Sequence, residues 1–335
     1  MTPVDPHLTS LTDILAKTEA RLTSTEEPSR VWPTGFDPLD KTLSGGFRAG
    51  NLILLSGTQG LGKTTFALQA ARNAALAGRS VVFFSYEHDP EALLERLVAL
   101  EAGELADHDA PSLDRIRLSF EGADGGTGGL RDRLDDTTAG LPALMRVQSY
   151  ADRLCLHRST GTSTTIEVIV DAVDEVWDQT GEQPFVIVDY LQKVRVPDRT
   201  LSESDRMTIV VERLKDLAID AGVPVLAIAA ADKEGLEAGT KVRAQHMRGS
   251  TALAYEPDVL LMMNEKFDIV ARHHLVYDSS NASRFHDWVV ITVEKNRMGV
   301  DQVDLEFRKR FDQSRFESEG RRVSEALLDD RVYTQ

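Results

Sequence analysis

Residues 57–64 read Gly-Thr-Gln-Gly-Leu-Gly-Lys-Thr, a fit to G-x-x-x-x-G-K-[ST]. Glycines at these positions let successive backbone N–H groups curl inward around phosphate oxygens. A helix that follows turns its positive N-terminus to the same anion. Lys63 is then the side chain that reaches the outer phosphates, and the Thr64 hydroxyl the one that meets Mg²⁺. The residues expected around a nucleoside triphosphate are Gly57, Thr58, Gln59, Gly60, Leu61, Gly62, Lys63, Thr64 and Thr65. A magnesium ion there needs a second partner at the end of another buried strand, and the apolar run Phe185-Val-Ile-Val ends in Asp189. Hydrolysis also needs a group that orients and deprotonates water. Glu87, closing the run VVFFSYE, is either that base or a solvated acid at a strand terminus.

Short glycine-rich patterns occur in unrelated proteins, so the elements around the motif decide its meaning. Residues 51–56 read as a strand and 63–77 as a helix, which brackets the loop correctly. A strand over 80–87 leads to a helix over 90–104 with Asp89 as its cap. Residues 121–129, EGADGGTGG, carry five glycines in nine positions and read as a mobile loop. Helices over 165–179 and 205–222 alternate with strands over 184–191, 223–230, 258–263 and 288–294. The expected fold class is α/β, a mostly parallel sheet with helices on both faces. Such a sheet delivers Lys63, Glu87 and Asp189 to one carboxyl edge, where ligands bind. Nothing interrupts 31–317, which reads as one domain followed by a C-terminal tail, 318–335.

Ahead of that domain, Leu8, Leu11, Leu15 and Leu22 form one stripe of a helix over 8–22. The segment TSTEEPSRVWP ends the helix, because proline cannot continue it. The stripe must be buried, by folding back on its own chain or by docking on a neighbouring subunit, so 1–30 reads as a linker segment.

Composition narrows the setting. The chain has 335 residues, 41% of them hydrophobic, enough for a sizeable core. One cysteine, Cys155, rules out a disulfide framework and a cysteine-based zinc site and suits a reducing compartment. The eight histidines show no ligand spacing; His273 and His274 sit together in a polar stretch. No signal pattern or membrane-length apolar run occurs, so a cytoplasmic protein without membrane contact is expected. The formal charge of 38 − 54 = −16 argues against coating nucleic acid with the whole surface and leaves room for a local basic channel.

Five stretches occur in this order: WPTGFDPLDKTLSGGFRAGNLILLSGTQGLGKTTFALQAA, VVFFSYEHDPEALLERL, FVIVDYLQ, VPVLAIAA and VEKNRMG. Together they resemble the C-terminal motor domain of DnaB-type replicative helicases, over about residues 8–317. The resemblance implies a RecA-like P-loop fold, ATP and Mg²⁺ as cofactors, and a homo-oligomer, either a hexameric ring or a helical assembly. It makes Glu87 the catalytic base and the leucine-striped helix one that docks on the adjacent subunit. Lys295 and Arg297 match a pair that in this family reaches across the interface to the neighbour's γ-phosphate. Positive charge supplied in trans stabilises phosphoryl transfer and makes hydrolysis report on subunit contact.

Three departures from the family pattern stand out. About thirty residues precede the motor, so the family's N-terminal collar domain is expected to be absent. Ala229 and Ala230 stand where the family usually carries serine and glutamine. That glutamine links the γ-phosphate state to the DNA loops, and an alanine side chain makes no hydrogen bond. Lys233, Lys241, Arg243 and Arg248, diluted by Glu234 and Glu237 and without an aromatic neighbour, are the nucleic-acid candidates. Lys193, Arg195 and Arg199 form a second basic patch. Each patch reads as a contact to single-stranded DNA or as a solvated loop.

Two functions follow. One is an ATP-driven helicase or translocase on single-stranded DNA. The other is an ATP-controlled ring or filament that acts through protein partners. A RadA- or KaiC-like relative fits less well: RadA-like proteins share the K-N-R motif, but this chain lacks their cysteine zinc site, and VDYLQ is closer to DnaB.

Overall fold

The run Leu52–Gly57 is buried at every position, which only a central strand covered on both faces accounts for. The computed structural model describes residues 9–23, 30–198, 200–232, 241–271 and 284–328. Two compact units divide the chain, 1–30 and 31–335.

The first unit contains helix α1 (Leu11–Thr23), none of whose residues is buried. Leu11, Leu15 and Leu22 are 78%, 70% and 70% exposed, and Leu8 lies outside the described residues.

The second unit opens with a ribbon of β1 (Val31–Trp32) and β2 (Phe47–Arg48) around helix α2 (Asp37–Thr42). Then come β3 (Leu52–Gly57), α3 (Lys63–Leu76), β4 (Val81–Ser85) and α4 (Pro90–Ala106). Short helices α5 (Leu113–Phe120), α6 (Leu130–Asp135) and α7 (Gly140–Gln148) follow. Next are β5 (Leu154–Arg158), α8 (Ile166–Thr180), β6 (Phe185–Asp189), α9 (Glu203–Ala221) and β7 (Val225–Ala230). The last part holds α10 (Ala252–Tyr255), β8 (Val259–Glu265), α11 (Lys266–Ile269), β9 (Trp288–Asn296), β10 (Val303–Arg310), β11 (Arg315–Phe316) and β12 (Arg321–Arg322).

The main sheet runs β11-β10-β9-β8-β3-β7-β6-β4-β5, with β12 on β10. Every pairing from β5 through β8 is parallel, and β9, β10 and β11 extend the sheet antiparallel. Helices α3, α4 and α7 pack one face through Phe66, Leu97 and Leu144. Helices α8 and α9 pack the other through Val173 and Leu214. The register aligns the carboxyl ends: Gly57 lies opposite Ala230 and Met263, and Ser85 opposite Asp189.

Several elements depart from the expected outline. The edge strand β5 shows an irregular burial pattern, and β10 reads VDLEFRKR, whose charges hide a strand. Within β10, Glu306 is fully buried because Lys266 reaches it at 2.5 Å and Arg321 at 2.6 Å. The glycine-rich stretch 121–129 is irregular, as expected, but anchored. The buried Asp124 carboxylate accepts from Ser119 Oγ and the Gly126 N–H and pairs with Arg133. Residues 321–328 return to the sheet edge through β12, Glu325 on Lys266 and a bridge between Leu327 and Val270.

A buried ion pair fastens α3 to α4. Arg72 donates to both Glu101 oxygens at 2.6 and 2.5 Å, and Tyr150 Oη donates to Glu101 at 3.0 Å. Removing Arg72 takes the bidentate partner from a fully buried carboxylate, which keeps Arg146 at 3.2 Å and the Tyr150 hydroxyl. Arg72→Ala should therefore cost about 3 kcal/mol of unfolding free energy, the low end for breaking a buried pair because Arg146 remains, read from urea midpoints.

Candidate functional site

Helix α3 begins at Gly62, whose φ of +84° is in the left-handed region that glycine adopts without strain. No acidic residue sits in its first turn, so its positive N-terminus is uncompensated. Gly60, Gly62, Lys63, Thr64 and Thr65 line a cavity of about 590 Å³ at the carboxyl rim of the sheet, together with Gly57 and Gln59.

The Lys63 ammonium donates to the loop carbonyls of Gly57 at 2.8 Å and Thr58 at 2.6 Å. Burial lowers its pKa to about 8, an effect opposed by the nearby Asp189 and Glu87 carboxylates. Thr64 Oγ donates to Asp189 Oδ2 at 2.7 Å. Asp189 is 2% exposed, and burial pushes its carboxyl up to about 6 although the Thr64 hydrogen bond pulls it down. Glu87 lies in the turn after β4 and lines the same cavity. That turn is tied to the end of β6, because the Tyr86 N–H donates to the Asp189 carbonyl at 2.8 Å. The structure thus brings Lys63, Thr64, Glu87 and Asp189 together. Leu61 instead points into the core and is buried there.

A hydroxyl and a buried carboxylate are hard oxygen ligands of the kind Mg²⁺ takes. Among the described residues no group of three His, Cys, Asp or Glu could hold a metal by itself. That fits an ion which keeps water and substrate oxygens as its remaining ligands.

Arg96, Tyr190 and Phe311 also line the cavity, and sequence reasoning missed all three. Arg96 lies seven residues past the Asp89 cap, so helical periodicity places it on the cap's face of α4, a signal present in the sequence. Phe311 had no such signal. It is carried by a turn that Arg310 and Arg315 hold to Asp107 at 2.7 and 3.1 Å, about two hundred residues away in sequence.

Lys295 and Arg297 are not brought to the cavity. Lys295 stands opposite Leu260, three residues before Met263, the partner of Gly57, and the Arg297 N–H bonds to Asp258. At about 3.3 Å per residue they stop roughly 10 and 16 Å short of the level of Gly57. Their side chains turn to the Tyr255 carbonyl, at 2.7 Å for Lys295 and 2.6 Å for Arg297. Tyr255, Met298 and Val300 are exposed around them.

Of the nucleic-acid candidates, Lys241 is corrected by the structure. It is 5% exposed and paired with Asp304 at 3.0 Å, so its charge is already used. Arg248 is exposed, donates to Glu203 at 2.8 Å, and lines a second cavity of about 650 Å³ with Lys193, Arg195 and Arg206. Arg243 is half-buried and does not line that cavity. Lys233 and Arg199, and the His273–His274 pair, lie outside the described residues. No helix among the described residues is long and apolar enough to cross a membrane.

The family model for the DnaB-like helicase C-terminal domain matches residues 32–113 and 137–318, leaving 114–136 between the two segments. The chain is similar to the replicative DNA helicase DnaB of Haemophilus influenzae, 25% identical over 288 residues that cover 85% of this chain and 54% of that protein. The Pasteurella multocida replicative DNA helicase DnaB is 26% identical over 288 residues, 85% of this chain and 55% of that one. This chain thus spans about half the length of these curated relatives. Among solved structures, an ATPase domain superposes with a TM-score of 0.72 at 18% identity, covering 92% of this chain and 98% of that one. A DnaB-like replicative helicase, described with its interactions with primase, superposes with a TM-score of 0.71 at 17% identity, covering 92% and 68%. At these identities the superpositions establish the fold alone, a RecA-like α/β sheet.

Proposed function

The chain belongs to the DnaB-like helicase C-terminal domain family, and from that premise we propose that it is a Mg²⁺-dependent ATPase motor that works as a homo-oligomer on single-stranded DNA. The observation that carries this reading is the Thr64–Asp189 hydrogen bond of 2.7 Å beside Lys63, with Glu87 on the same rim. In this reading residues 31–317 form the motor. Segment 1–30 docks on a neighbouring subunit, and the exposed leucines of α1 support that role. The lone Cys155 suits a cytoplasmic setting.

Lys63 would exchange its two loop carbonyls for the outer phosphates, and the N–H groups of residues 57–65 would cradle the rest. Thr64 and Asp189 would hold Mg²⁺, which when bound neutralises charge on the transferred phosphoryl group. Glu87 orients water and takes its proton. Arg96 adds a second cation from the same chain, and Phe311 an aromatic face for the base. Lys295 and Arg297 would serve a neighbouring copy's cavity, because they fall short of their own. Lys193, Arg195, Arg206 and Arg248 would track the DNA backbone in the second cavity. Arg243 and Lys233 are further candidates on the following segment.

A second reading rests on the Glu203 carboxylate, which neutralises Arg248 within that basic cavity. Here ATP sets the state of a ring or filament whose partners are proteins. Phosphate release with and without oligo-dT at low salt, with particle size recorded in parallel, separates the two. Turnover raised by DNA supports the motor. Turnover indifferent to DNA, with ATP-dependent assembly, supports the second reading. Lys63→Ala should weaken nucleotide affinity roughly 10- to 100-fold, the loss of charge-assisted hydrogen bonds, measured with a fluorescent ATP analogue.

A further inference from the structure

The two cavities share a wall, since Tyr190 and Ala230 line both. Tyr190 follows Asp189 at the end of β6, and Ala230 closes β7. The methyl side chain of Ala230 can neither donate nor accept. Its backbone does both. The Ala230 N–H donates to Gln192 Oε1 at 3.2 Å, and the Ala230 carbonyl accepts from the Arg248 N–H at 3.0 Å. Gln192 Nε2 donates to the Arg248 carbonyl at 3.2 Å, which closes a ring of three hydrogen bonds.

Each corner of that ring leads somewhere different. Gln192 is three residues from Asp189, across a turn whose Leu191 is fully buried and so cannot yield independently of the strand end. Ala230 lines the cavity that the functional reading assigns to the nucleotide. Arg248 ends in the basic cavity, exposed and paired with Glu203. An exposed pair of this kind is worth little and shifts readily. The ring thus runs from Ala230, which lines both cavities, through the half-buried Gln192 on the basic side to Arg248, whose exposed guanidinium is its compliant end.

We propose that Gln192 is the positioning residue that couples the two cavities in this chain. Its carboxamide links the β6 end to the Arg248 carbonyl, beside the backbone bonds that already hold Arg248 to Ala230 and Met247 to Ala231, so a displacement of the β6 end on nucleotide binding changes where the Arg248 guanidinium stands relative to Glu203. The inference rests on the reading that the first cavity takes ATP and the second single-stranded DNA. It assigns to the Gln192 amide a connection that the side chain at 230 cannot make.

The test uses full-length wild type, Gln192→Ala and Gln192→Glu. Glutamate keeps an oxygen for the Ala230 N–H but sets another oxygen against the Arg248 carbonyl, so it removes only the second link. Two quantities are read: turnover with over turnover without oligo-dT, and oligo-dT affinity with over without a non-hydrolysable ATP analogue. Linkage makes nucleotide and DNA act reciprocally on each other's affinity, commonly by 5- to 150-fold. Both variants should lower both ratios by about threefold or more towards unity, the Ala230–Arg248 backbone bond carrying what remains. Variants that keep the wild-type ratios overturn the inference and leave the functional reading standing. So does a Gln192→Glu protein that couples normally while Gln192→Ala does not, because the amide donor is then dispensable. Loss of turnover and of ordered unfolding together in both variants also overturns it, since the residue would then be structural. A wild type that DNA neither binds nor stimulates overturns the functional reading first.

Discussion

Replacing Glu87 with glutamine should lower ATP turnover by a factor of about 10² to 10⁴ while nucleotide still binds. Glutamine is nearly isosteric, so the change removes a proton acceptor and little else. The position argues for the base. Glu87 sits in a turn tied to the Asp189 carbonyl through Tyr86 and lines the Lys63 cavity. A group that holds and deprotonates water from there affects the chemical step and not the grip on the phosphates. Steady-state phosphate release set against titration with a fluorescent ATP analogue reads the two separately. Turnover within threefold of wild type would remove Glu87 from catalysis. Equal loss of binding and turnover would make it a binding residue instead.

Arg297→Ala should cost about 10³ to 10⁵ in turnover, the range of an arginine supplied in trans to phosphoryl transfer. The side chain cannot act on its own chain's nucleotide, because the β8–β9 register leaves it roughly 16 Å short of the level of Gly57. That distance makes a sharper experiment available. Lys63→Ala and Arg297→Ala proteins are each expected to be inactive alone. In mixed oligomers some interfaces join an intact phosphate loop to an intact Arg297, so mixing should restore part of the activity. A mixture no better than its components, with assembly confirmed by size, would place Arg297 outside the reaction. Turnover preserved in the single variant would do the same.

Much of this site was legible in the sequence, for reasons that vary from residue to residue. The phosphate loop, Asp189 and Glu87 are set by local pattern, each lying where a buried apolar strand ends at the rim. The parallel strands were equally plain, because strands covered on both faces leave continuous apolar runs. What stayed hidden depends on partners far away. Lys241 reads as a basic loop residue, yet its charge is paired with Asp304, 63 positions on. β10 looks polar because Glu306 is neutralised by Lys266 and Arg321 from other segments. Phe311 reaches the cavity on a turn that the distant Asp107 helps to hold. Lys63 and Asp189 show in outline that local pattern finds chemistry, while long-range ion pairing decides which surface charges remain available for it.

The placement of Lys295 on β9 has a consequence for how such a molecule behaves at low abundance. Its ammonium hangs from the end of the strand that lies away from the level of Gly57, and it is parked there on the carbonyls of Ala254 and Tyr255. If Lys295 and Arg297 act in trans, as proposed, dilution alone is an off-state. In the proposed mechanism a solitary copy would fill with nucleotide and keep it intact, and consumption would begin only where copies meet. The rate per copy should therefore climb steeply with concentration before it levels.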